Sequence, residues 1–153
     1  MMIPLHQRKR SEASLSDEYE TPDDMFEQLC NEYGIHPQMD VAATSKNLKC
    51  QFHLSKFYDA LESEWEYDSW CNPPHSKTKQ FVEKAYEQWK KHNIDILMII
   101  PANSLCTNYA FDYILKKGVE FHPILGRPIF LVDGVPSKFN SRNGYFVVIW
   151  RKI

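Results

Sequence analysis

Asn72-Pro73-Pro74-His75 brings an amide, a backbone carbonyl and an aromatic ring together directly after the apolar-leaning stretch Ser69-Trp70-Cys71. The amide oxygen of Asn72 and a carbonyl held outward by the following proline are both acceptors. Two acceptors match the two protons of an exocyclic amino group such as the N6 of adenine. With both protons accepted, the nitrogen lone pair is free to attack an electrophilic methyl in line, and positioning supplies most of the rate. The ring of His75 suits stacking on the face of an extruded base. The same four residues also suit a strand running into an Asn-Pro-Pro turn with no chemistry, so the rest of the chain must decide.

Open α/β sheets bind ligands outside the carboxyl ends of their strands, and the patterning of this chain predicts such a sheet. A helix is expected from Thr21-Pro22-Asp23-Asp24, with Thr21 as N-cap, Pro22 at the first helical position and Gly34 as its end. A short strand over Ile35 to Val41, interrupted by Pro37, leads into Asp40-Val41-Ala42-Ala43-Thr44, and Cys50 to Phe57 holds a second short strand. Asp68 to Cys71 reads as a buried strand, and Thr78 to His92 as a helix with Phe81, Val82, Ala85, Tyr86 and Trp89 on one side. Asp95 to Pro101 is a continuous apolar run of strand length, the pattern of a strand covered on both faces. A helix over Tyr109 to Lys117 closed by Gly118 follows, then strands at Glu120 to Ile124, Pro128 to Val132 and Tyr145 to Trp150. This order gives an α/β sheet with helices on both faces, mostly parallel and ending in an antiparallel hairpin. Asp40 and Asn72 both stand at strand ends, which places them in one cleft. A carboxylate at Asp40 can meet an amino group or fix the loop around it, and small Ala42 and Ala43 allow close backbone approach.

At 153 residues the chain suits a single domain over residues 17–153, preceded by a polar, basic tail over residues 1–16. Apolar residues at 43% and charged residues at 25% match ordinary globular usage and suggest neither a disordered nor a membrane class. No signal peptide pattern is present, so the protein reads as intracellular, with a cytoplasmic location expected. Cys30, Cys50, Cys71 and Cys106 lack the short spacings of a zinc site and read as reduced thiols, and the histidines are equally dispersed, so no metal is implied. The net charge of −2 argues against a nucleic-acid partner, yet basic residues cluster locally, as at Gln7 to Arg10, Lys77 to Lys79 and Lys138 to Arg142. An uneven charge map of this kind can present one basic face.

The ordered segments Glu18-Tyr19-Glu20-Thr21-Pro22-Asp23, Met39 to Thr44, Asn47-Leu48-Lys49-Cys50, Asp59-Ala60-Leu61 with Trp65, and Trp70-Cys71-Asn72-Pro73-Pro74 closely resemble the phage-type DNA N6-adenine methyltransferases. The resemblance covers most of residues 18–150, continuing more loosely through Trp89, Pro101-Ala102 and Gly126 to Phe130. It implies a Rossmann-like methyltransferase sheet, S-adenosylmethionine as cofactor and DNA, duplex or single-stranded, as partner. It further implies that Thr21, with Pro22, binds the methionine carboxylate, which suits a helix amino terminus. By the same resemblance Asp40 and Ala42 line the methionine and ribose side, Asp59 accepts from the cofactor's adenine amino group, and Asn72 borders the cofactor as well as the target. Asn72, Pro73 and Pro74 then grip the N6 amino group and His75 stacks on the base. Lys77, Lys79, Arg127, Lys138 and Arg142 are the candidate phosphate contacts.

Two features depart from the family pattern. The usual glycine-rich cofactor loop and the acid that holds the ribose hydroxyls are missing, and histidine stands where tyrosine or phenylalanine is typical. The first points to weak cofactor binding, and the second offers a smaller ring whose charge depends on its surroundings. Alternative expectations are therefore a DNA-binding relative with little or no turnover, and a methyltransferase acting on RNA adenine or protein glutamine. A small α/β interaction domain remains the reading in which no cofactor binds.

Overall fold

A computed structural model of the chain describes residues 17–44, 47–56, 59–137 and 144–153. The expected tail over residues 1–16 and the candidate phosphate contacts Lys138 and Arg142 lie outside the described residues. The elements in chain order are α1 (Asp23–Tyr33), β1 (Met39–Ala43), β2 (Phe52–Ser55), β3 (Ser69–Cys71), α2 (Thr78–His92), β4 (Ile96–Pro101), α3 (Asn108–Tyr113), β5 (Val119–Ile124), β6 (Leu131–Val132), β7 (Val135–Pro136) and β8 (Tyr145–Trp150).

Six strands form one sheet in the order β2-β1-β3-β4-β8-β5, and β6 pairs with β7 in a separate two-stranded sheet. The pairs β1–β2, β1–β3 and β3–β4 are parallel, whereas β8 runs antiparallel between β4 and β5. Strand β4 is buried along its whole length, and its side chains alternate between two cores. Ile96, Met98 and Ile100 pack with Phe81, Val82, Ala85 and Trp89 of α2 and with Ala110 and Ile114 at α3. Leu97 and Ile99 pack on the other face with Leu29 and Cys30 of α1 and with Trp70. The continuous apolar run was the sequence-level sign of this double cover.

Several boundaries differ from those expected. Thr21 is not the cap of α1: Pro22 takes that place without a side-chain hydrogen bond, and the hydroxyl of Thr21 is engaged elsewhere. Gly34 closes the helix as expected, at φ 68°, a left-handed turn that glycine adopts without a Cβ penalty. Strand β1 begins at Met39, later than expected: Pro37 has no N–H to give a ladder, and backbone hydrogen bonding to the neighbours starts only at Gln38. Helix α3 stops at Tyr113 rather than Lys117, and the indole N–H of Trp150 donates to the Tyr113 carbonyl at 3.1 Å. The expected strand over Pro128 to Val132 reduces to Leu131–Val132, joined to Val135–Pro136 through Asp133 and Gly134 at φ 52° and 78°. Two consecutive positive φ values are what a tight two-residue hairpin turn requires.

Candidate active site at the carboxyl edge of the sheet

Four parallel strands finish on one edge, so the residues that follow them meet there: Lys56 after β2, Thr44 after β1, Asn72 after β3 and Ala102 after β4. The segment 17–21 crosses this edge and is pinned at several points. Both carboxylate oxygens of Asp17 accept from Ser76, from its N–H at 2.8 Å and its hydroxyl at 2.7 Å. Lys56 Nζ donates to the Asp17 carbonyl at 2.6 Å. Glu20 exchanges backbone hydrogen bonds with Leu131, and its Oε1 accepts from Gly134 N at 2.9 Å, which docks the β6–β7 hairpin onto the segment.

Asn72 is buried at the centre of this arrangement. Its Nδ2 donates to the Tyr19 carbonyl at 3.2 Å and to Thr21 Oγ1 at 3.1 Å. A carbonyl can only accept, so the nitrogen must face Tyr19 and the amide cannot be turned over. Oδ1 therefore points the other way. Neither Asn72 Oδ1 nor the Pro73 carbonyl has a hydrogen-bond partner among the described residues, whereas the Pro74 carbonyl accepts from Lys77 N at 2.9 Å. Both prolines of the motif are buried.

Asn72 shares a narrow cleft, with about 20 Å³ of free space, with Tyr19, Glu20, Thr21, Asp40, Ala42, Thr44, Asn47, Lys49, Lys56 and Trp70. The cleft adjoins a groove of about 380 Å³, which also takes in Glu20, Asn47 and Lys49 and runs out to the β6–β7 hairpin. Of the candidate cofactor residues, Thr21, Asp40, Ala42 and Asn72 line this cleft. Pro22 caps α1 beside it. Asp59 does not line it: the residue is exposed, and Oδ1 accepts from Ser55 N at 2.5 Å in the turn after β2.

Asp40 is 3% exposed, and its two oxygens accept from Ala42 N and Lys49 N, each at 3.0 Å. Burial pushes its carboxyl pKa up, and the two N–H groups act in the opposite direction. The carboxylate thus fastens both ends of the loop after β1. Lys49 fixes the same loop to α1 through Asp23 Oδ1 at 2.7 Å and to Asn47 Oδ1 at 2.8 Å. Thr44 Oγ1, also in the cleft, is buried without a hydrogen-bond partner among the described residues.

His75 opens the 3-10 turn His75–Lys77. Its Nε2 lies 3.2 Å from Tyr145 Oη, and its ring packs edge-on against Tyr19 with centroids 5.5 Å apart. Burial depresses the imidazole pKa to about 4, so the ring is neutral at ordinary pH. Lys77 and Lys79 follow at once, in the turn and the first turn of α2, while Arg127 is exposed in the β5–β6 connection. Sequence reasoning missed Lys56, Glu20, Thr44 and Asp17. Glu20 lies within a motif already singled out, but Lys56 carries no local signal, because its burial follows from the crossing segment 17–21.

Residues 8–153 match the family described as DNA N-6-adenine-methyltransferase (Dam). The chain is also similar to the DNA N-6-adenine-methyltransferase of Escherichia phage T1, at 33% identity over 93 residues, a stretch that makes up 60% of this chain and 38% of that protein. The chain thus matches less than half the length of this curated relative. No solved structure matches it.

Proposed function

Because the chain belongs to the DNA N-6-adenine-methyltransferase (Dam) family, we propose that it transfers a methyl group from S-adenosylmethionine to the N6 amino group of adenine in DNA, as a modification of phage or mobile-element DNA. The observation that carries this reading is the orientation of Asn72. With Nδ2 held by Tyr19 and Thr21, Oδ1 and the Pro73 carbonyl form a pair of acceptors for the two protons of an amino group. The strand order, with the cleft at the carboxyl ends of the parallel strands, supports a Rossmann-like methyltransferase architecture.

The chemistry of the cleft fits the cofactor. Glu20 and Asp40 offer carboxylates toward an ammonium group, the Thr44 hydroxyl lacks a partner among the described residues, and Ala42 leaves room for close approach. Bound there, S-adenosylmethionine supplies a methyl on a sulfonium, so no covalent nucleophile is needed from the protein. The residues of the chain hold the amine, exclude water and align the reactants, which is where most of the rate enhancement originates. The neutral ring of His75 is a surface for the target base, and Lys77, Lys79 and Arg127 are proposed to meet phosphates. Extruding a base from duplex DNA costs a few kcal/mol, which such contacts offset.

A second reading, a DNA-binding relative with weak turnover, is favoured by the contact of His75 with Tyr145, since stacking on a base requires the ring to leave it. Incubation with labelled S-adenosylmethionine and duplex or single-stranded DNA, followed by digestion and mass spectrometry, tests both. N6-methyladenine that is lost in Asn72→Ala supports the enzyme. DNA binding without product supports the second reading, and product only on RNA or a glutamine-containing protein redirects the acceptor.

A further inference from the structure

Lys56 is 4% exposed, yet it lines the same cleft as Asn72, Glu20 and Asp40. Its position in the sheet explains how. The residue leaves the carboxyl end of β2, while its ammonium meets the carbonyl of Asp17, whose carboxylate binds Ser76 beyond β3. Strand β1 lies between β2 and β3, so the side chain reaches across the carboxyl end of β1. That is the ground on which open α/β sheets seat their ligands.

The surroundings of this ammonium are anionic. Burial lowers the pKa of this ammonium, and Glu20, Asp17, Glu18 and Asp40 act in the opposite direction, toward the charged form. The other cation lining the cleft, Lys49, directs its ammonium to Asp23 and Asn47 instead. The free space inside the cleft, about 20 Å³, is also far below the ~300–1,000 Å³ of ligand pockets, so a nucleoside-sized molecule has to move something to enter. The long, flexible side chain of Lys56 is the part of the lining best able to move.

We propose that Lys56 is a resident cation of the cofactor cleft, displaced by the positive charge that a sulfonium cofactor brings, so that the protein distinguishes the charged methyl donor from its neutral thioether product. The inference rests on the methyl-donor reading above. An incoming sulfonium restores the charge that Lys56 takes away, whereas S-adenosylhomocysteine leaves buried carboxylates uncompensated. Glu20 then contributes to selectivity, and release of the spent cofactor follows from loss of its charge.

Calorimetric titration of the full chain with S-adenosylmethionine, its amine-bearing isostere sinefungin, and S-adenosylhomocysteine tests this. The two cationic ligands are expected to bind about tenfold tighter than the thioether, and Glu20→Gln, which keeps an acceptor for Gly134 N, is expected to bring the ratio to within about twofold. Lys56→Met is expected to tighten the charged donor several-fold, and Lys56→Gln, which retains a donor for the Asp17 carbonyl, to shift it in the same direction. Circular dichroism establishes that each variant is folded. An unchanged ratio in Glu20→Gln, a wild-type preference for the thioether, or weaker donor binding in both Lys56 variants overturns the proposal while leaving the methyl-donor reading intact. Binding of none of the three ligands by the wild-type chain overturns that reading and the proposal with it.

Discussion

The hydroxyl of Thr21 and the amide of Asn72 act together to orient one acceptor. Thr21→Val keeps the shape of the side chain but leaves one Asn72 proton without its acceptor, at a cost of about 1 kcal/mol. We expect the methylation rate to fall several-fold and KM for DNA to change little, as steady-state kinetics would reveal; an unaltered rate would mean that the Tyr19 carbonyl alone orients the amide. The sequence Thr-Pro-Asp-Asp has the composition of a helix start, which is why Thr21 reads locally as a cap. Its actual partner lies 51 residues away, a distance that no local pattern spans. His75 carries a second expectation. Its pKa falls from the usual 6.5 to about 4 on folding, so between these values the unfolded chain binds a proton that the folded chain does not. Stability conferred by the neutral ring is full above pH 6.5 and is lost as pH falls through this window. His75→Phe should therefore lose less stability than wild type between pH 7 and pH 4.5, as measured by urea denaturation at each pH.

Among the elements, α2 and β4 were the most legible. The apolar spacing of Phe81, Val82, Ala85 and Trp89 is sustained over a whole helix, and the six buried residues of β4 leave no solvent face to disguise the pattern. Phe81 is fully buried between helix and sheet, so Phe81→Ala should cost about 3–5 kcal/mol by chemical denaturation. Shorter elements were harder to place, because their limits depend on distant partners. Trp150 takes the Tyr113 carbonyl at the end of α3, and Glu20 takes the N–H of Gly134 at the hairpin turn. Gly34 is the opposite case, a boundary legible from one residue. A Cβ added there would meet nothing within 4 Å, so Gly34→Ala tests backbone strain alone. At φ 68° the expected cost is about 1 kcal/mol, or a Tm lowered by about 2–4 °C in a scan.

The whole molecule carries a net charge of −2, so any affinity for DNA must come from how its charges are distributed. Helix α2 separates two basic groups: Lys79 in its first turn beside the Asn72 motif, and Lys90 about 16 Å further along the axis. If the carboxyl edge faces DNA, Lys79→Gln should reduce the slope of log K against log salt by about one and Lys90→Gln should leave it unchanged, as fluorescence anisotropy over a salt series would measure. Equal effects at both positions would remove the carboxyl edge from its proposed role. The α/β class, the two-sided core and the meeting of Asp40 with Asn72 could be read from patterning, but the strand order and the entry of Lys56 and Asp17 could not, because segment 17–21 assembles that part of the cleft across the sheet edge from residues far apart in the chain. That assembly leaves the molecule with an optical reporter. Trp65, Trp70, Trp89 and Trp150 are all buried, so emission from the native chain should be blue-shifted as a whole, yet only Trp70 lines the cleft, its indole edge-on to Phe26 at 4.9 Å. A molecule entering beside Asn72 should quench or shift one indole in four, making occupancy of the cleft visible in the unlabelled protein.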